Sequence, residues 1–313
     1  MFDRTAVREA AALAACGVAV ALVGRFFFPD YWLTIGIVIA MYSIPALALL
    51  ILLGYAGQPS FGHAAFFAFG AYASAISTTR LGWHPIVGAI AGLAITAAVA
   101  YGIGFPLLRV RGHYLAIATL AFAIVVRVVL ENVPFTGGLA GIAGIPGFPS
   151  PRSGFLIVVL LATAIYAAAV LIDYSRVGRI LRALGDDELA TSSCGISPQS
   201  VKTAVFVVSA CLASVGGSIY AHFLGFISPE PFNVDMSILF VTMMIVGGTG
   251  RVWGGLIGAG LIGMVPAVLS RYASYSALLY GVAIIVVLLL MPHGVLGMLA
   301  RLRTPLRRLL RRA

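Results

Sequence analysis

Few side chains in this sequence are equipped for chemistry, and their spacing narrows what that chemistry is. Arg127 is the one clear charge inside an apolar run, where a central arginine would cost about 2.5–3.5 kcal/mol to insert into a bilayer. It stands one turn from the end of its run with Glu131 at i+4, so it can snorkel to the interface or meet a carboxylate. Ser214, Ser218 and His222 follow at i, i+4 and i+8 and share one helix face. That stripe suits either the lining of a path for a small zwitterion or hydrogen-bonded packing between helices. His63, beside Gly62, offers the same two readings. His84, His113 and His293 have no metal-ligand spacing with any acid or cysteine, and Cys16, Cys194 and Cys211 form no C-x-x-C pair, so neither a metal site nor a disulfide framework is indicated. There is no H-E-x-x-H, no G-x-S-x-G and no pair of carboxylates, which leaves an intramembrane enzyme without a candidate constellation. A Walker loop needs a lysine after its glycines, and the only lysine is Lys202. The chain is therefore not itself a P-loop ATPase, and no cofactor is expected in it.

The elements that must position these residues are apolar. Of 313 residues, 61% are hydrophobic and 10% charged, with a mean hydropathy of +1.06. A soluble domain would carry about 25% charged residues. Continuous rather than alternating apolar runs fit helical spans better than a barrel and predict an all-α, polytopic membrane protein. The runs suggest about ten spans, at roughly 10–28, 32–53, 61–79, 85–107, 113–130, 154–172, 201–223, 236–249, 254–270 and 275–291. The net charge of +10 comes from basic residues at the ends of these runs, which indicates membrane topology rather than nucleic acid. Arg4, Arg8, Arg109, Arg111, Arg251 and the tail from Arg301 to Arg312 fall on one side, which the positive-inside rule makes cytoplasmic, with both termini. The tail can bind anionic lipid or a partner, or simply orient the last span. Arg4 and Arg8 precede an apolar stretch with no small-residue cleavage site, so the first run reads as a retained span.

Two loops stand apart from this single permeation-type body, 1–313. Residues 173–202 form the longest charged segment, on the cytoplasmic side. Arg176, Arg179 and Arg182 at i, i+3 and i+6 make one face of a short helix basic. Asp186, Asp187 and Glu188 then open a second short helix, where acids suit the positive end of the dipole, and Gly195 and Pro198 end it. This is read as a docking segment. Residues 132–153, rich in Gly and Pro, lie outside and serve either to meet an external partner or as a plain connector.

Two glycine-rich stretches interrupt the apolar runs. Gly54 to His63, containing Gly57, Gln58, Pro59 and Ser60, places irregular backbone where topology needs only a turn. Such backbone persists near a membrane where protein or a watery cavity satisfies it, so a broken helix lining a path and a tight interfacial turn both remain open. In the second stretch Gly250, Gly254 and Gly258 repeat at i, i+4 and i+8, a bare helix face for close packing.

These segments in order resemble the permease subunits of the branched-chain amino acid ABC importers, of the LivM type. The resemblance is carried by GYAGQPSFGHAAFFAFGAY (54–72), LRVRGHYLAIATLAF (108–122), FTGGLAGI (135–142), GRILRALGDDELATSSCGIS (178–197), SIYAHFLGFISPE (218–230) and VGGTGRVWGGLIGAG (246–260). It implies a type II-like importer fold in a bacterial inner membrane. The implied partners are a second permease, ATPase subunits that bind ATP and magnesium, and a periplasmic or extracellular solute-binding protein. Glu188, Leu189, Ala190 and Gly195 look like the family's coupling motif, with Leu189 in place of an alanine and four residues rather than three before the glycine. Where the family commonly has a glutamate three residues before the arginine of span five, this chain has Ile124. Branched-chain amino acids are the implied solutes, with urea, short amides and other amino acids as rivals. An ion-coupled secondary transporter is disfavoured, because all ten acidic residues fall in loops, tails or span edges; a scaffold protein would leave uptake untouched.

Overall fold

The computed structural model describes residues 4–110, 112–269, 281, 294–295 and 297. Arg111, Arg271, His293, the basic tail and all but one position of the tenth apolar run lie outside them. The described chain is mostly helical: α1 (Arg4–Phe27), α2 (Asp30–Leu49), α3 (His63–Thr79), α4 (Pro85–Leu107), α5 (His113–Asn132), α6 (Pro151–Tyr174), α7 (Arg176–Asp186), α8 (Glu188–Ser193), α9 (Pro198–Leu224), α10 (Val234–Gly247) and α11 (Trp253–Leu269). Six are long and apolar enough to cross a membrane: α1, α2 with its continuation to Tyr55, α4, α5, α6 and α9. α3, α10 and α11 are shorter apolar helices. The first begins earlier than its apolar run predicts, at Arg4, because a helix continues into the polar flank as long as nothing breaks it.

α2, α3 and α9 form the centre. Small side chains allow this: α3 approaches α9 so closely that a methyl at Gly70 would strike the Ser214 carbonyl and one at Gly217 the Phe67 carbonyl. Large aromatics fill the remaining space. Phe67 packs on Tyr220 and Phe240, each at 5.4 Å between centroids, and Phe66 packs on Phe122 and Phe206 at the same distance. Outside this centre α1, α4 and α5 leave most of their surface uncovered, as helices facing lipid do. In α2, Pro45 removes one backbone donor, and the last turns Leu50–Tyr55 widen into a π-helix.

The ends of the helices follow local sequence. Pro151 and Pro198 start α6 and α9 at the first helical position, and Ser150 caps α6 through Ser153. α9 stops at Gly225, left-handed at φ +71°. Beyond it β2 (Phe226–Ile227) pairs antiparallel with β1 (Ile142–Ala143), in the register Ile142 to Ile227 and Ala143 to Phe226. The Gly/Pro-rich loop is thus fastened to the end of α9. Ile145 N donates to the Gly225 carbonyl at 3.1 Å. Gly141, at φ +73°, lies against the Ile227 carbonyl with no space for a side chain.

Candidate functional site

The segment 173–202 folds as two short helices at the opposite end of the bundle from that loop. Ser175 caps α7, accepting from Val177 N at 3.1 Å and Gly178 N at 3.4 Å. Leu181 and Leu184 bury the inner face, while Arg176 and Arg179 stay exposed. Arg182 is paired with the Asp173 carboxylate and lies over the Tyr55 ring at 5.7 Å. The three acids expected to open the second helix are divided. Asp186 closes α7, Asp187 is the cap, and Glu188 is the first residue of α8. Asp187 Oδ1 accepts from Leu189 N at 2.8 Å and Ala190 N at 3.1 Å, which satisfies donors that α8 cannot use itself. Leu189 is 76% exposed at the tip, and Gly195, at φ +78°, turns the chain back toward α9. Glu188 Oε2 accepts from Lys202 Nζ at 2.7 Å, tying α8 to α9.

The glycine break Gly54–His63 is deep. Gly57, at φ +63°, lies beside Gly185 of α7, and from there the chain turns inward. His63 meets Ser209, which lies three turns into α9, about 16 Å along its axis at 1.5 Å per residue. α3 therefore begins inside the bundle, and its first donors need partners. Phe61 N donates to Thr119 Oγ1 at 3.0 Å, Gly62 N to Ser60 Oγ at 3.3 Å and Ala64 N to Ser237 Oγ at 3.0 Å. Ser209 gives its proton to the Ala48 carbonyl at 2.8 Å, so the 2.6 Å contact is an Nε2–H of His63 donating to Ser209. Nδ1 is left to accept from Ser60 at 3.3 Å. His63 is thus fully buried and bonds three segments together. Gln58 is 3% exposed and finds no partner for either amide atom among the described residues.

The stripe on α9 faces α3. Ser214 is packed against Gly70, and its hydroxyl is without a partner among the described residues. Ser218 is buried one turn on. His222 Nδ1–H donates to the Pro146 carbonyl at 2.7 Å, which leaves Nε2 to accept from Ser74 at 2.8 Å. The two buried histidines are therefore opposite tautomers, His63 set by Ser209, whose own proton goes to Ala48, and His222 set by the Pro146 carbonyl. Arg127 Nε donates to Glu131 at 2.7 Å on one side of α5. Of the three glycines assigned to packing, Gly254 lies against the Gly248 carbonyl and Gly258 against Met243 of α10. Gly250 differs: it stands in the turn before α11 with open space around it. Among the described residues no group of three acids, histidines or cysteines could hold a metal.

Ser209, Thr119, Ser237 and the Lys202–Glu188 pair are contributions that spacing within one run does not reveal. Their partners are 14 to 173 residues away. For Ser209, Thr119 and Ser237 the one signal is a lone polar side chain in an apolar helix.

A bundle of apolar helices with a helix that starts in its interior, and a capped pair of short helices at one end, is the build of a membrane permease. The chain belongs to the family described as the branched-chain amino acid transport system / permease component, which it matches over residues 31–291. It is 32% identical over 292 residues to the high-affinity branched-chain amino acid transport system permease protein LivM of Escherichia coli, covering 82% of this chain and 68% of that one. To LivH of the same organism it is 30% identical over 284 residues, covering 82% and 91%. The ribose import permease protein RbsC of Escherichia coli is 29% identical over 209 residues, covering 61% of this chain and 63% of that protein. No solved structure matches.

Proposed function

We propose that this chain is the permease subunit of an ATP-driven importer of branched-chain amino acids in a bacterial inner membrane. Family membership, joined to the exposed α7–α8 pair, is the observation that supports it. In this reading about ten spans of a type II-like fold, counting the run 275–291, form half of a translocation path, with both termini cytoplasmic. A second permease forms the other half. ATP and magnesium bind in separate ATPase subunits, and an external binding protein delivers the solute near residues 132–153. α8 is the coupling helix: a one-and-a-half-turn helix is unstable alone, and Asp187 and the Lys202 pair hold it formed with Leu189 outward, ready for a partner surface. Gly57, Gln58, Ser60, His63, Ser214, Ser218, His222 and Arg127 are the candidates for lining or supporting the path.

Purification of the tagged chain from mildly solubilised membranes is expected to recover ATPase subunits and a second permease; recovery of the chain alone from a detergent that preserves such complexes overturns the reading. In reconstituted vesicles Glu188→Ala and Gly195→Pro are expected to lower uptake by about tenfold or more, as loss of 1.4 kcal/mol or more of coupling requires. Solute binding to the external protein should stay normal. Full uptake by both variants removes α8 from coupling.

A further inference from the structure

Where α9 begins, it parts from the end of α4 to leave a groove of about 490 Å³. The α9 side of the groove changes character along its length. Gln199 and Ser200 lie at the rim, and Val207 and Val208 lie about two turns deeper. Tyr101 and Phe105 of α4 form the opposite wall, and Gln199 Nε2 donates to the Phe105 carbonyl at 3.1 Å, which puts Phe105 level with the rim. From Gln199 to Val208 the helix rises about 14 Å at 1.5 Å per residue. That is close to half the roughly 30 Å of a bilayer's hydrocarbon core. The groove thus has about the depth of one leaflet, polar at its rim and apolar below. Tyr101, Phe105 and Val208 are exposed, so no described element covers it.

Arg109 stands at the same rim. Its guanidinium carbon lies 4.8 Å from the centroid of the Phe105 ring, and no carboxylate pairs with it among the described residues. None of the residues lining the groove is acidic. We infer that this groove holds one anionic phospholipid of the leaflet at the α7–α8 end, which is the cytoplasmic leaflet in the topology proposed above. The headgroup phosphate takes the Arg109 guanidinium, the glycerol-ester region meets Ser200, and one acyl chain lies between Tyr101 and the Val207–Val208 wall. A free phosphate would leave the apolar walls unfilled, and a lipid without net charge would leave Arg109 uncompensated. The site depends on α4 and α9 spanning a membrane and not on which solute is carried.

The test uses the complex that co-purifies with this chain, stripped of native lipid in detergent. It is titrated with dioleoylphosphatidylglycerol or dioleoylphosphatidylcholine, and bound lipid is counted by native mass spectrometry. Ala204 also lines the groove, so Ala204→Trp fills it and should lower the count by one lipid per copy of this chain. The lipid so identified should be phosphatidylglycerol in preference to phosphatidylcholine by about fivefold, as one arginine near a headgroup provides. Arg109→Gln should remove that preference and Arg109→Lys should keep it, which a folding defect would not allow. A photoreactive benzoylphenylalanine in place of Val208 should crosslink to lipid. A count unchanged by Ala204→Trp overturns the site, as do equal affinities for the two lipids at the displaced position or a preference there that survives Arg109→Gln. A crosslink from position 208 to another subunit puts protein in the groove and overturns it as well.

Discussion

At the end of the bundle that carries residues 132–153, the fastening is backbone to backbone. β1 pairs with β2, Ile145 bonds to Gly225, and His222 reaches the Pro146 carbonyl. At the end that carries α7 and α8, the fastening is charge to charge: Arg182 with Asp173 and Lys202 with Glu188. Both ends hold a segment against α6 or α9, but they differ in what loosens them. A ladder supported by left-handed glycines has one geometry and fails when that geometry is lost. The partly exposed Arg182–Asp173 pair is worth about 0–1 kcal/mol, and in either pair a partner can be exchanged for another charge. The first end suits a fixed platform and the second a joint that opens.

That contrast can be broken at its strongest point first. Gly141→Val should destabilise the protein most, by about 3 kcal/mol or more, because a branched side chain at φ +73° is strained and also strikes the Ile227 carbonyl. Thermal unfolding in detergent reads the loss, and a melting temperature equal to wild type would show that the ladder fixes nothing. His222→Leu comes next, at about 2 kcal/mol, since it strips the Pro146 carbonyl and the Ser74 hydroxyl of their partner while filling similar space. Arg182→Met should cost least, under about 1 kcal/mol, with its effect shrinking as salt is raised. A loss as large as that of Gly141→Val, or one insensitive to salt, would erase the distinction between the two ends.

The apolar runs placed most of these helices to within a few residues, because a run long enough to span a bilayer has few other structures open to it. Family membership, too, was legible in ordered segments between Gly54 and Gly260. What the sequence left open was depth. Gly54–His63 was equally consistent with an interfacial turn, since the residues that satisfy α3 inside the bundle, Thr119, Ser209 and Ser237, come from three other helices. The i, i+4, i+8 spacing of Gly250, Gly254 and Gly258 suggested one bare helix face, but the helix starts only at Trp253, so the first of the three stands in the turn. Spacing describes a face only where the helix exists. The loop 132–153 stood open between an external contact and a plain connector, and its fastening to α9 was not legible because its partner strand, Phe226–Ile227, is two residues long and carries no alternation to detect.

Lys202 has one more consequence. As the sole lysine it gives the chain a single side-chain amine, and that amine is mostly buried and engaged by Glu188. Among side chains, reagents that acylate amines therefore address one position of 313, distinct from any terminal amine, and their rate there is governed by how often the α8–α9 joint parts. The chain carries its own chemical clock for the motion of α8 against α9, with no label to introduce.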